Sequence, residues 1–112
     1  MLNKSAVELC AKVRLPAKQI IAIQEAFKTS FLPADHLWLF GSRADLTKRG
    51  GDIDLYIETN IKDAQQIVKT RSKFLTRMYM AIGEQKIDVV IKFDDTDLLI
   101  HKIAKKEGVQ LL

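Results

Sequence analysis

The sequence predicts an α/β chain of the α+β kind, a mixed three-stranded sheet flanked by about four helices. Three observations carry that expectation. HLWLF at 36–40 and KIDVVIK at 86–92 are short apolar runs of strand length. DIDLYIE at 52–58 alternates strictly, with Asp52, Asp54 and Tyr56 on one face and Ile53, Leu55 and Ile57 on the other. The segments before, between and after these runs repeat their apolar residues at helical spacing.

In chain order, Ser5 and Glu8 have capping-box spacing ahead of Ala6, Leu9, Cys10 and Val13, which predicts a first helix over about 5–14. Pro16 suits the first turn of a second helix carrying Ile20, Ile23, Phe27 and Phe31, stopped by Leu32-Pro33. The strand HLWLF ends at Gly41, a polar loop follows, and the second strand begins at Asp52. Ile61, Ala64, Val68, Leu75, Met78 and Ile82 form the stripe of a long helix over 61–82, with Gly83 as its stop. After the third strand, a last helix beginning near Asp95 has Leu99, Ile100, Ile103 and Ala104 as its face, lysines at its C-terminal end and Gly108 at its close. No repeat, low-complexity tract or linker interrupts the order, so residues 1–112 read as a single domain.

A 112-residue domain buries roughly two-thirds of the surface its unfolded chain exposes, enough for a core without disulfides or metal staples. The 47% hydrophobic and 29% charged fractions exclude disordered, collagen-like and disulfide-rich classes without choosing among enzymes. The one cysteine, Cys10, lies in an apolar helical pattern and reads as a reduced core thiol of a cytoplasmic protein. The N-terminal residues lack the apolar block of a secretory leader, and no stretch has the length and apolarity of a membrane span. The net charge of +4 suits a nucleic acid, a nucleotide or an acidic protein surface as partner, and a solvated surface accounts for it equally well.

The chemistry concentrates at one place. Asp52 and Asp54, two apart on a strand, lie roughly 7 Å apart at their α-carbons and point the same way. Asp88 opens the third strand much as they open the second. For the three to meet at one edge, the second and third strands must be parallel neighbours with the long helix as crossover, and the first must run antiparallel to deliver Gly41-Ser42 to that edge. Three crowded carboxylates repel unless a divalent cation neutralises them. Oxygen donors of this kind suit magnesium or manganese, and a pair of such ions is the usual device for in-line phosphoryl transfer. Gly41 and Ser42 offer backbone N–H groups and a hydroxyl to phosphate oxygens, and Arg43, Lys48 and Arg49 in the following loop are placed to meet a triphosphate.

FGSRADLTKRGGDIDLYI followed by KIDVVI resembles the Gly-Ser turn, the Asp-x-Asp strand and the later third aspartate of the polymerase-β-like nucleotidyltransferase superfamily, over residues 36–92. The small size is similar to its minimal nucleotidyltransferases, which accompany helical HEPN-domain partners. The resemblance implies the fold of that superfamily and transfer of AMP from ATP to a hydroxyl. It implies phosphate binding by Ser42, two metal ions on Asp52 and Asp54, and completion of the metal site by Asp88, which also helps activate the acceptor. It further implies a tyrosine of a HEPN toxin as acceptor, so that this chain would be the antitoxin, with the shallow site completed by that partner or by a second copy. The loop Arg43 to Gly51 is one residue shorter than the family pattern, and the doubled glycine at 50 and 51 can absorb the difference. The alternative is an interaction protein that neutralises its partner by binding alone. Nucleotidylation of a small molecule is a third reading, opposed by the lack of a substrate-binding domain.

The remaining residues have blander readings. Arg71 falls within the stripe of the long helix, where it either snorkels or pairs with a carboxylate, or else contacts a phosphate or a partner. Trp38 and Tyr56 read as core or sheet-face residues and Tyr79 as helix packing. His36 and His101 are too few for a zinc site and have no assigned role.

Overall fold

A computed structural model describes residues 5–112. The first four residues of the expected domain, and with them the start of the segment read as lacking a leader, lie outside the described residues. Among the described residues the order is α1 (Ala6–Cys10), α2 (Ala17–Ser30), β1 (His36–Phe40), a 3-10 turn (Gly41–Ala44), β2 (Ile53–Glu58), α3 (Ala64–Ile82), β3 (Ile87–Lys92), α4 (Leu99–Glu107) and β4 (Val109–Gln110). None of these helices is long and apolar enough to cross a membrane.

The sheet order is β3-β2-β1-β4, with β2 parallel to β3 and β1 antiparallel to both β2 and β4. The three expected strands and their directions therefore stand, and the count of three is corrected to four. The added strand is only two residues long, pairing Gln110 with Trp38 and Val109 with Leu39. No alternation can be read from so short a segment. Its neighbours continue the contact, Leu111 donating its N–H to the Leu37 carbonyl at 2.8 Å and Leu37 donating to that of Leu112 at 3.1 Å.

The alternation of β2 sorts the molecule into layers. Ile53, Leu55 and Ile57 are fully buried with Leu37, Leu39 and Ile87 against residues of α1, α2 and α3. On the other face Trp38 and Tyr56 are buried under Ala104 of α4. Tyr56 stacks on His101 with ring centroids 5.5 Å apart, and its hydroxyl donates to Glu58 at 2.7 Å. Burial and the neighbouring Glu58 carboxylate push the Tyr56 phenol far above its ordinary range. His101, without a role in the sequence reading, is thus a core residue whose Nδ1 accepts the Leu98 N–H.

Five helix details differ from expectation. Helix α1 ends at Cys10, because residues 11–15 turn and bend to bury Val13 and Leu15 ahead of Pro16, which disfavours helix at the residue before it. Cys10 is half-buried against the core, its thiol donating to the Val7 carbonyl. Helix α3 starts at Ala64 rather than Ile61, capped by Asp63, whose side chain accepts the Gln65 N–H. Its fully buried face is Ile67, Thr70, Phe74 and Met78; Met78 of the expected stripe stands and Ile61, Leu75 and Ile82 pack partly buried against the core, while Ala64 and Val68 turn outward because Phe74 packs edge-on against both Phe27 and Phe31. That rotation leaves Val68 64% exposed and sets Arg71 on the solvent side, so no buried charge arises. Helix α4 begins at Leu99 rather than near Asp95, because residues 94–98 bend or extend, and it buries His101 with Ala104 of the expected face, whereas Leu99, Ile100 and Ile103 of that face are exposed.

Candidate active site

Parallel register sets Asp54 of β2 directly opposite Asp88 of β3. Neighbouring strands lie about 4.8 Å apart, so the two carboxylates are within reach of each other. Asp52 sits one residue before β2, on the Asp54 side by alternation. Phe40, the last residue of β1, pairs with Asp54, so the Gly41–Ala44 turn begins beside this carboxylate. Asp52, Asp54, Asp88, Gly41 and Ser42 are thereby brought to one end of the sheet.

The close approach at Gly41 has a local cause. Its φ of +75° lies in the left-handed region, and a Cβ there would run into the Asp54 carboxylate. Glycine lets the turn lie flat against the acid. Gly50, with φ +146°, packs in the same way on the Ser42 side chain, so that the doubled glycine closes the shortened loop over that hydroxyl. Gly41→Ala should lower unfolding stability by about 1–3 kcal/mol in a denaturant titration. Gly51→Ala, where an added Cβ meets nothing within 4 Å, should change it far less.

Electrostatically the three aspartates behave as a unit. Partial burial is the largest influence raising the Asp54 pKa, followed by the Asp88 and Asp52 charges and a hydrogen bond with Asp88, while Lys86 opposes the rise. Asp52 is half-exposed and pairs with Lys86 at 3.3 Å. The hydrogen bond and charge of Asp52 hold the Lys86 ammonium above its ordinary range, aided by Asp88 and Asp54. Asp88 itself is exposed. Among the described residues no three His, Cys, Asp or Glu side chains already surround a single metal position. The donor set nevertheless fits a hard divalent cation: oxygen ligands only, negative charge in excess, and one carboxyl driven toward protonation by the others.

Arg43 is placed differently from the phosphate-facing role expected of it. Its guanidinium donates to the carbonyls of Arg14 at 2.8 Å and Gly51 at 3.0 Å. Arg14 reciprocates, its backbone N–H donating to the Arg43 carbonyl at 2.8 Å and its guanidinium to the Gly50 carbonyl at 2.8 Å. The two arginines brace the loop between the Gly-Ser turn and Asp52. Arg14 is absent from the sequence reading, since nothing in a lone arginine after α1 announces a partner 29 positions away. Asp45, held below the ordinary carboxylate range by hydrogen bonds from Thr47, tightens the same loop. Lys48 and Arg49 are exposed on it.

No protein-family model matches this chain, and no curated protein matches it significantly.

Proposed function

We propose that this protein is a divalent-metal-dependent nucleotidyltransferase that moves a nucleoside monophosphate, AMP from ATP, to a hydroxyl acceptor. The observation that carries the reading is the meeting of Asp54 and Asp88 in parallel register, with Asp52 beside them and a left-handed Gly41 turn lying against Asp54. Magnesium or manganese held by Asp52, Asp54 and Asp88 would supply charge neutralisation and alignment for in-line displacement. Gly41 and Ser42 would bind phosphate oxygens through the turn and the hydroxyl. Asp88, exposed beside Asp54, would accept the acceptor hydroxyl's proton as that oxygen bonds to the α-phosphorus. The bond from this phosphorus to the bridging oxygen breaks, and pyrophosphate leaves.

The exposure of Asp88 and Asp52 suits an acceptor hydroxyl carried by another macromolecule rather than one enclosed in a deep pocket. A tyrosine of a HEPN-domain toxin, the partner implied by the family resemblance, meets that requirement and would make this chain a cytoplasmic antitoxin. Incubation with labelled ATP, magnesium and a HEPN partner should place label on the partner. An Asp52→Asn, Asp54→Asn double variant should transfer none and should fail to neutralise the toxin. Full neutralisation by that variant would replace the enzyme with a stoichiometric binder.

A further inference from the structure

We infer that Lys86 is the mobile cation of this site, holding Asp52 while the site is free of ligand and turning to the nucleotide's triphosphate when the aspartates take metal. The inference rests on the transferase reading and adds to it a binding residue that sequence reasoning passed over.

A triphosphate arriving at the turn needs a cation; the guanidiniums of Arg43 and Arg14 are committed to the loop, and Lys48 and Arg49 are exposed on it without an ion pair to the aspartates among the described residues. Arg43 donates to Arg14 and Gly51, and Arg14 to Gly50. Lys86 is the cation among the described residues that an ion pair ties to the aspartates, at 3.3 Å from Asp52. It stands at the mouth of β3, two residues before Asp88, and its backbone carbonyl accepts the Ile53 N–H at 3.0 Å. The backbone at Lys86 is therefore anchored beside β2 at the end that carries Asp52.

The head is free to move. The side chain is 70% exposed, and an ion pair of that exposure costs little to break. Lys86 also borders a shallow depression of about 530 Å³ with Tyr79, Glu84 and Gln85, so its head is not enclosed by the protein. A lysine is suited to such exchange, being a compact charge on a flexible stem without the planar fork that fixes an arginine. A divalent cation taking the aspartates would displace the ammonium, and of the negative charges then left to it, Glu84 at the depression and the bound triphosphate, the triphosphate carries the more.

The test compares wild type with Lys86→Met and Lys86→Arg in three binding measurements. Without nucleotide, Mn2+ titration followed by electron paramagnetic resonance should show Lys86→Met binding the ion about 3-fold to 10-fold more tightly, because the competing ammonium 3.3 Å from an Asp52 oxygen is gone. With magnesium present, calorimetry should show its affinity for a non-hydrolysable ATP analogue reduced about 10-fold and its affinity for AMP unchanged. Lys86→Arg should keep triphosphate affinity within about 3-fold of wild type. Unchanged or weaker Mn2+ binding by Lys86→Met, or an equal loss for the ATP analogue and AMP, overturns the assignment. A wild-type chain that binds no nucleotide overturns the transferase reading along with it. One that binds nucleotide, beside a Lys86→Met variant that binds equally well, overturns the role of Lys86 alone.

Discussion

Asp54→Asn removes transfer activity below detection while the metal-free protein stays folded and becomes slightly more stable. Asp54 faces Asp88 across the parallel strands, lies against the Gly41 turn and is less exposed than Asp88, so on the proposed reading no neighbour would replace it as a metal ligand. An amide keeps the shape and can still donate to Asp88, but it carries no charge for a divalent cation. The stability gain follows from linkage. The Asp54 pKa is raised above its ordinary 3.8 by burial and by Asp88 and Asp52, so between the two values the native state holds more protons than the unfolded chain. Metal-free wild type should therefore lose stability as pH rises from 3.8 through the elevated native value, and the penalty is fully present above it. Asp54→Asn lacks that slope. Because the carboxyl is partly exposed, the difference near neutral pH should be at most about 1 kcal/mol. Thermal unfolding of both proteins in chelator from about pH 4 to about pH 7 measures it, and parallel curves would remove the repulsive cluster from the account. Magnesium with nucleotide should raise the wild-type midpoint and leave that of Asp54→Asn in place.

The meeting of Asp52, Asp54 and Asp88 at one end of the sheet was legible in the sequence because strand alternation and register are local rules. DIDLYIE can sit only one way on a sheet, and an aspartate at the head of an otherwise apolar KIDVVIK must lie near the mouth of its strand. Parallel pairing then follows from requiring the acids to meet, and the register sets Asp54 and Asp88 as partners. What escaped depends on contacts distant in sequence. The true face of α3 is set by Phe74 against Phe27 and Phe31, a choice the helix cannot reveal by itself, since Val68 and Leu75 offer an equally apolar stripe. The α4 face was misread for a similar reason: Trp38 and Tyr56 accept the flat ring of His101 and the small Ala104, leaving Leu99 exposed. Loop arginines look alike in sequence, and only the Arg14 and Gly51 carbonyls show that Arg43 is a brace. Asp35 was passed over too, although its buried carboxylate accepts from Leu32, Thr59 and Asn60 and so pins the far end of β2.

Asp88→Ala should separate binding from chemistry. Asp52, one residue before β2, and Asp54, its second residue, lie beside the Gly41-Ser42 turn, so together they can hold a metal triphosphate without help from β3. Asp88 comes from the neighbouring strand and is exposed, on the side open to an incoming hydroxyl. Its removal should leave magnesium-dependent nucleotide affinity within about 10-fold of wild type while transfer falls at least about 100-fold, the range usual for losing a general base. The fold should survive. Asp88 makes no buried packing contact, and truncating it relieves Asp54 of its largest charge repulsion, so the native Asp54 pKa should fall back toward its ordinary value. Calorimetry and a transfer assay on one preparation supply both numbers, and a carbon-detected titration of Asp54 supplies an independent reading of the same contact. Normal transfer by Asp88→Ala would take this residue out of the mechanism, whereas parallel loss of binding and transfer would make it chiefly a metal ligand. An Asp54 titration that does not move would mean that the two carboxyls, partners in register, are not partners in charge.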